Sequence, residues 1–256
     1  MKNYSKILGE VLIKIKPTEQ ETKEINVLIK KFLDELKTKN SKSKISSEIF
    51  IGGSFAKKTL IKKEKYDIDI FIRFDKKYKD NEISKTLGKI LGKNAILIHG
   101  SRDYFRVKLK EDTYVELVPV KKINNPKEAL NTTDLSYMHV KYINSKVKSE
   151  KMLDEIRLAK AFVHACECYG AESYIGGFSG YSLELLVYYY KGFLNFIKAV
   201  SKEKGKIIID IEKVYKNKNA IMLDLNSAKL GSPIILIDPT YKHRNENWSL
   251  LCSMFL

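Results

Sequence analysis

Gly52-Gly53-Ser54-Phe55, a lysine-rich connection, and then Lys65-Tyr66-Asp67-Ile68-Asp69-Ile70-Phe71-Ile72 form the stretch whose reading decides the fold. From Ile68 to Phe74 the residues are apolar, β-branched and aromatic, as in a buried strand, so the aspartates at its start are not ordinary surface charge. Side chains alternate faces along a strand, which sets Asp67 and Asp69 on one side with Cα atoms roughly 6–7 Å apart. Two carboxylates held that way repel unless a cation joins them. A pair of divalent metals about 3.5–4 Å apart, bridging an attacking hydroxyl and a leaving phosphate, would satisfy both. Upstream, Gly52 and Gly53 let the backbone bend and approach a ligand, and Ser54 offers a hydroxyl. The N–H groups that follow can face oxygen anions if a helix begins there. The constellation reads as a nucleoside triphosphate held over two metals.

Taken singly, each part is commonplace: an Asp-x-Asp strand is more often a strand end with solvated carboxylates. Order and spacing select more sharply. A third carboxylate, Glu116, lies within the apolar run Tyr114-Val115-Glu116-Leu117-Val118-Pro119, where a glutamate without a partner would be costly. Setting that strand beside the Asp-x-Asp strand supplies the cation it needs. This succession of Gly-Gly-Ser, Asp-Ile-Asp and a later carboxylate resembles the DNA-polymerase-β-like nucleotidyltransferase superfamily.

The 256 residues suffice for two modest domains, and 44% hydrophobic with 30% charged residues is a globular composition. No window approaches a membrane span, and Val11-Leu12-Ile13, broken by Lys14 and Lys16, is too short for a signal peptide, so a cytoplasmic location and no membrane partner are expected. Cys166, Cys168 and Cys252 show no metal-like pairing, which fits reduced thiols in that compartment. A net charge of +16 is a footprint for a polyanion, although nearly all the cations are Lys, and lysine excess can serve solubility alone. Beside a nucleotidyltransferase signature, the charge points to RNA or DNA as substrate.

In chain order, the pattern predicts a short amphipathic helix from Tyr4 to Ile15, then a helix to about Lys37 opened by a Thr18/Glu21 capping box. Strands follow at Ile45–Ile51 and Tyr66–Phe74, with a short helix over Ser54–Leu60 between them. A helix over Asn81–Leu91, a strand over Ala95–His99 and a hairpin of Tyr104–Leu109 with Thr113–Val120 come next. Beyond a loop and a helical Leu135–Ile143 the composition changes near residue 145. Long helices are expected from Ser149 or Glu150 to Cys168 and from Ser182 to Ala199, then strands around Ile207–Ile209 and Pro233–Pro239.

The second half narrows the resemblance. Glu155-Ile156-Arg157-Leu158-Ala159-Lys160-Ala161-Phe162, Tyr169-Gly170-Ala171-Glu172, Gly177-Phe178-Ser179-Gly180-Tyr181 through Leu186, and Ile237-Asp238-Pro239-Thr240-Tyr241-Lys242-His243-Arg244-Asn245 together resemble archaeal (class I) CCA-adding enzymes. The similarity runs in order to about residue 245. It implies an α+β fold: a nucleotidyltransferase palm of mixed sheet and flanking helices over residues 1–145, then a mainly helical central domain like that of poly(A) polymerase and oligoadenylate synthetase over 146–256. The family's body and tail domains have no counterpart here, which would make the chain a truncated, minimal or split form, with a separate chain or self-association covering the apolar C-terminus, Trp248 to Leu256.

The resemblance also implies roles. Gly53 and Ser54 would hold the triphosphate; Asp67, Asp69 and Glu116 would ligate two Mg²⁺ ions and carry catalysis. His139, Lys160 and Tyr169 would line the triphosphate pocket, and Asp238 and Arg244 would read the base edge of CTP or ATP. The activity implied is template-independent addition of C and A to the 3′ end of tRNA. On pattern alone, His139 could be a surface histidine, Lys160 a solvated helix charge, Tyr169 a core aromatic, and Asp238 with Arg244 a surface pair. Glu116 stands where the family normally has Asp, and its extra methylene would shift the ligating oxygens. Two other readings remain open: poly(A) or oligoadenylate synthesis on another acceptor, and a degenerate RNA-binding module.

Overall fold

The computed structural model describes residues 2–170, 175–225 and 227–246. The chain divides into two compact units: residues 16–140, and residues 1–15 with 141–256. The first helix, α1 (Lys2–Ile15), thus joins the second unit and not the first half to which its position in sequence assigned it. The reason is apolar: Leu8, Val11, Leu12 and Ile15 pack against the core of the second unit. The boundary falls at 140/141, inside helix α5 (Ser136–Lys146).

The first unit is a mixed five-stranded sheet in the order β1-β2-β5-β4-β3, formed by β1 (Ser47–Ile51), β2 (Tyr66–Phe74), β3 (Ile96–Ile98), β4 (Tyr104–Lys110) and β5 (Thr113–Lys121). Only β2 and β5 are parallel neighbours; the other pairs are antiparallel. Helices α2 (Glu19–Lys42) and α4 (Asp80–Leu91) cover one face, where Ile25, Ile29, Ile83 and Leu87 meet Ile68, Ile70, Ile72 and Phe74. This leaves the odd-numbered positions of β2 for the opposite face. The expected capping box opens α2: Thr18 N–H donates to Glu21 Oε2 at 2.8 Å, and Glu21 N–H to Thr18 Oγ1 at 3.1 Å.

A buried ionic clamp closes the far end of this sheet. Asp134, 2% exposed, takes Arg102 Nη1 at 2.5 Å and the N–H groups of Lys121, Leu130 and Asn131 at 2.8, 3.1 and 3.1 Å. Arg102 also reaches Thr133 Oγ1, the Pro119 carbonyl and Asp80.

The second unit packs α1 with α6 (Glu150–Ala165), α7 (Gly180–Tyr189) and α8 (Phe193–Lys202) around Ile156, Val163, Phe178, Leu183 and Phe196. The single helix expected over Ser182–Ala199 is two. Lys191 and Gly192 both adopt positive φ, +58° and +141°, and break it. A three-stranded sheet completes the unit: β6 (Ile207–Ile209) parallel to β7 (Ile234–Asp238), and β8 (Tyr241–Asn245) antiparallel to β7. Two short helices, α9 (Lys218–Asp224) and α10 (Ser227–Leu230), precede β7. Cys166 is free and exposed, Cys168 is buried, and Cys252 lies outside the described residues. The apolar segment Trp248–Leu256 and the residues Ala171 and Glu172 lie outside the described residues. Among the described residues no helix is long and apolar enough to cross a membrane.

Candidate active site

The sheet register brings the three acidic residues to one place. Asp69 is paired with Glu116 and Asp67 with Tyr114 across the parallel β2–β5 ladder, so all three carboxylates rise from the face away from the helices. Each even-numbered neighbour on β2 is an apolar or aromatic side chain locked into the core: Tyr66, Ile68 and Ile70 are 5%, 0% and 0% exposed. A slip of one residue would bury the aspartates and expose the isoleucines, so the apolar face fixes the acidic one.

The glycine turn lies against the same carboxylates. Gly52 N–H donates to the Asp69 carbonyl at 2.8 Å, and a Cβ placed on Gly53 would lie 1.7 Å from Asp69 Oδ2. Gly53 has φ +58°, so both its backbone conformation and its contact with Asp69 exclude a side chain. The helix that follows, α3 (Gly53–Ala56), is shorter than the expected Ser54–Leu60. Lys58 at φ +57° turns the chain instead, and Thr59 N–H closes on the Ser54 carbonyl at 2.9 Å.

Arg106 is the member that the sequence reading did not place. It stands opposite Glu116 on β4 and directs its guanidinium to the acidic face: Nη2 is 2.5 Å and Nε 3.2 Å from Glu116 Oε1, and Nη2 is 3.6 Å from Asp67 Oδ1. The hydrogen bond to Glu116 holds the Arg106 proton more firmly than usual. Tyr104, two residues earlier, has its phenol pKa raised by burial and then by the nearby Glu116 charge. A cluster of only carboxylate oxygens, open to solvent and set against a glycine without room for Cβ, is a donor set suited to hard divalent cations.

In the second unit, Lys160 and Tyr169 converge on the start of α7. A Cβ on Gly180 would meet the Tyr169 hydroxyl at 2.6 Å and Lys160 Cε at 3.9 Å. Tyr169 stacks on His164 with ring centroids 3.8 Å apart. Lys160 is not a solvated helix charge: it is 3% exposed and forms an ion pair with Glu184 at 2.8 Å. Asp238, fully buried, accepts from Thr240 N–H and Thr240 Oγ1, both at 2.7 Å, and from the Tyr181 hydroxyl at 3.4 Å. Burial beside Asp238 pushes the Tyr181 phenol far up. Arg244 Nε lies 4.0 Å from Asp238 Oδ2 but only 2.5 Å from Glu246 Oε1, so Glu246 is its nearer partner. His139 is buried on α5 in the first unit.

Residues 29–130 match the nucleotidyltransferase domain family, and residues 154–254 match the family described as tRNA nucleotidyltransferase, second domain. The chain is 42% identical over 206 residues to a CCA-adding enzyme of Nanoarchaeum equitans, covering 79% of this chain and 51% of that protein. It is 33% identical to one of Methanocaldococcus jannaschii, covering 93% and 54%, and 31% identical to one of Thermoplasma acidophilum, covering 90% and 96%. It spans about half the length of the first two. Among solved structures it resembles a cytoplasmic RNA terminal U-transferase, with TM-score 0.72 at 15% identity over 99% of this chain and 89% of that one. The Cid1 poly(U) polymerase gives TM-score 0.71 at 14% identity, over 99% and 90%. At such identity these two inform on fold alone.

Proposed function

The chain belongs to the CCA-adding enzyme family, and from that membership we propose that it adds C and A, from CTP and ATP, to the 3′ end of tRNA without a nucleic-acid template. One observation carries the reading: Asp67, Asp69 and Glu116 rise together from adjacent parallel strands beside a glycine that closes directly on Asp69. Asp67, Asp69 and Glu116 would hold Mg²⁺. When bound, the metal lowers the pKa of the RNA 3′-hydroxyl and neutralises charge on the leaving pyrophosphate. The residues around it do the positioning. Gly53 leaves space where a triphosphate can approach Asp69, and Ser54 offers its hydroxyl to a phosphate oxygen. Ile68 and Ile70 hold the two aspartates in one orientation through their burial.

For the second unit we propose nucleotide binding by Tyr169, Lys160, Asp238 and Arg244, and for the first unit a like role for His139. Lys160 would have to exchange its Glu184 partner for a phosphate oxygen. Asp238 and Arg244 offer acceptor and donor groups for a base edge, and the Glu246 carboxylate lies beside Arg244 Nε. The chain carries a net charge of +16, so RNA binding should weaken with salt.

The test is incorporation of labelled CTP and ATP into tRNA lacking its 3′-terminal nucleotides, with Mg²⁺, followed by sequencing of the product. Addition of C, C and A by the unmutated protein, lost in Asp67→Ala, is the expected result. Homopolymeric A tails would replace it with poly(A) synthesis. RNA binding without any incorporation would leave only a binding module.

A further inference from the structure

Arg106 has a property that the carboxylates around it do not share: its charge is permanent. A guanidinium does not lose its proton at any pH a folded protein experiences, so it cannot step aside by titration as a lysine or histidine can. The sheet nonetheless aims it into the acidic cluster. Both Nε and Nη2 address one oxygen of Glu116, Oε1, and Nη2 also faces Asp67 Oδ1. Its side chain is 38% exposed, against 4% for Arg102, so it is held by its two carboxylate partners and not by packing. The Tyr114 ring, 5.9 Å from its Cζ, offers a second surface to rest on.

Three carboxylates on one strand face, with no cation among them, would repel one another and splay. Arg106 supplies positive charge from within the chain. We infer that Arg106 is a resident counter-ion: it holds Glu116 and Asp67 in place while no metal is bound, and it competes with an incoming divalent cation for the same carboxylate oxygens. The inference rests on the reading of these carboxylates as a metal site. Metal entry then requires the guanidinium to move off Glu116 Oε1, for which its exposure leaves room. A neutral side chain at position 106 should strengthen cation binding and weaken the metal-free protein.

The experiment is direct Mn²⁺ binding, followed by electron paramagnetic resonance in the absence of RNA and nucleotide, on the full chain and on Arg106→Met, Arg106→Lys and Asp67→Asn. The expected result is about 5-fold tighter Mn²⁺ binding in Arg106→Met, the scale of losing one partly exposed ion pair as competitor. Arg106→Lys, which keeps the charge without the fork, should fall between it and the unmutated protein. In parallel, the thermal midpoint of Arg106→Met should drop without metal and recover at saturating Mn²⁺. Unchanged or weaker Mn²⁺ binding in both Arg106 variants, with binding lost in Asp67→Asn, overturns the counter-ion role and leaves the metal site standing. Mn²⁺ binding equal in Asp67→Asn and the unmutated protein overturns the metal-site reading itself. Should Arg106→Met not fold, Arg106→Lys decides alone: tighter binding supports the competition, and equal or weaker binding defeats it.

Discussion

Arg102 and Arg106 are four residues apart, both paired with carboxylates of the same unit, and they differ in nearly everything else. Arg102 is 4% exposed and Asp134 entirely enclosed, with every direction around the carboxylate taken by a donor. Arg106 and Asp67 are 38% and 46% exposed, and only one oxygen of Glu116 is occupied by the guanidinium. A dry carboxylate with both oxygens filled can only hold the chain; a half-filled, wet cluster can exchange partners. Filling of the carboxylate, not the mere presence of paired charges, separates the two.

The sharpest way to break that distinction is to neutralise one charge in each place. Asp69→Asn should lower nucleotide incorporation by about 10³-fold, the scale of several kcal/mol of metal-borne charge stabilisation, while its thermal midpoint stays within a degree or two of the unmutated protein. Asp134→Ala should do the reverse. It leaves Arg102 buried without its main partner, at a cost of about 3–5 kcal/mol measured by urea unfolding, with incorporation per folded molecule retained. Equal stability losses at the two sites would erase the contrast.

Gly53→Ala sharpens it from the open side. The new methyl must push Asp69 aside and adopt a strained φ, so about 10²-fold is expected in kcat, with only about 1–2 kcal/mol of stability lost.

The smallest effect belongs to a pair at the rim, Glu48 with Arg73 and Lys122. The Lys122 hydrogen bond, then the Arg73 charge, keeps the Glu48 carboxyl below its ordinary 4.5. A pKa depressed by folding stabilises above the unfolded value, and that contribution disappears as pH falls through the folded one. With its side chain 50% exposed, Glu48 should contribute less than about 1 kcal/mol. Glu48→Gln should therefore trail the unmutated protein slightly in urea at pH 7, and the gap should close as pH falls below the ordinary carboxylate range.

Why Asp67, Asp69 and Glu116 could be placed on one face from sequence, and Arg106 could not, is a matter of register. The pairing register along Tyr66–Phe74 is unbroken, so facing follows from counting. Counting back across the hairpin from the Lys110–Thr113 pair sets Val107, not Arg106, opposite Glu116. A bulge between Lys108 and Lys110 shifts the ladder by one and turns Arg106 to the acidic face. The break between α7 and α8 was hidden in a different way. The run from Leu183 to Val200 is mostly apolar, and its hydrophobicity outweighed the Lys191-Gly192 pair that separates the two helices. Strand β8 escaped notice because Tyr241-Lys242-His243-Arg244-Asn245 carries no apolar alternation; it is an edge strand, paired on one side only. That the fold is α+β, with an acidic strand at its centre, depended on none of these.

Because α1 belongs with residues 141–256, the 16–140 unit is an insertion in the chain of its neighbour. During synthesis the inserted unit has all of its sequence before the host core has its own, so α1 must wait, with Leu8, Val11, Leu12 and Ile15 uncovered, until that core, drawn from Ile143 to Leu236, has been made. Cutting the gene at residue 140 would not yield two independent proteins: the downstream fragment would lack the helix that seals its core, and the upstream one would carry that helix with nothing to seal.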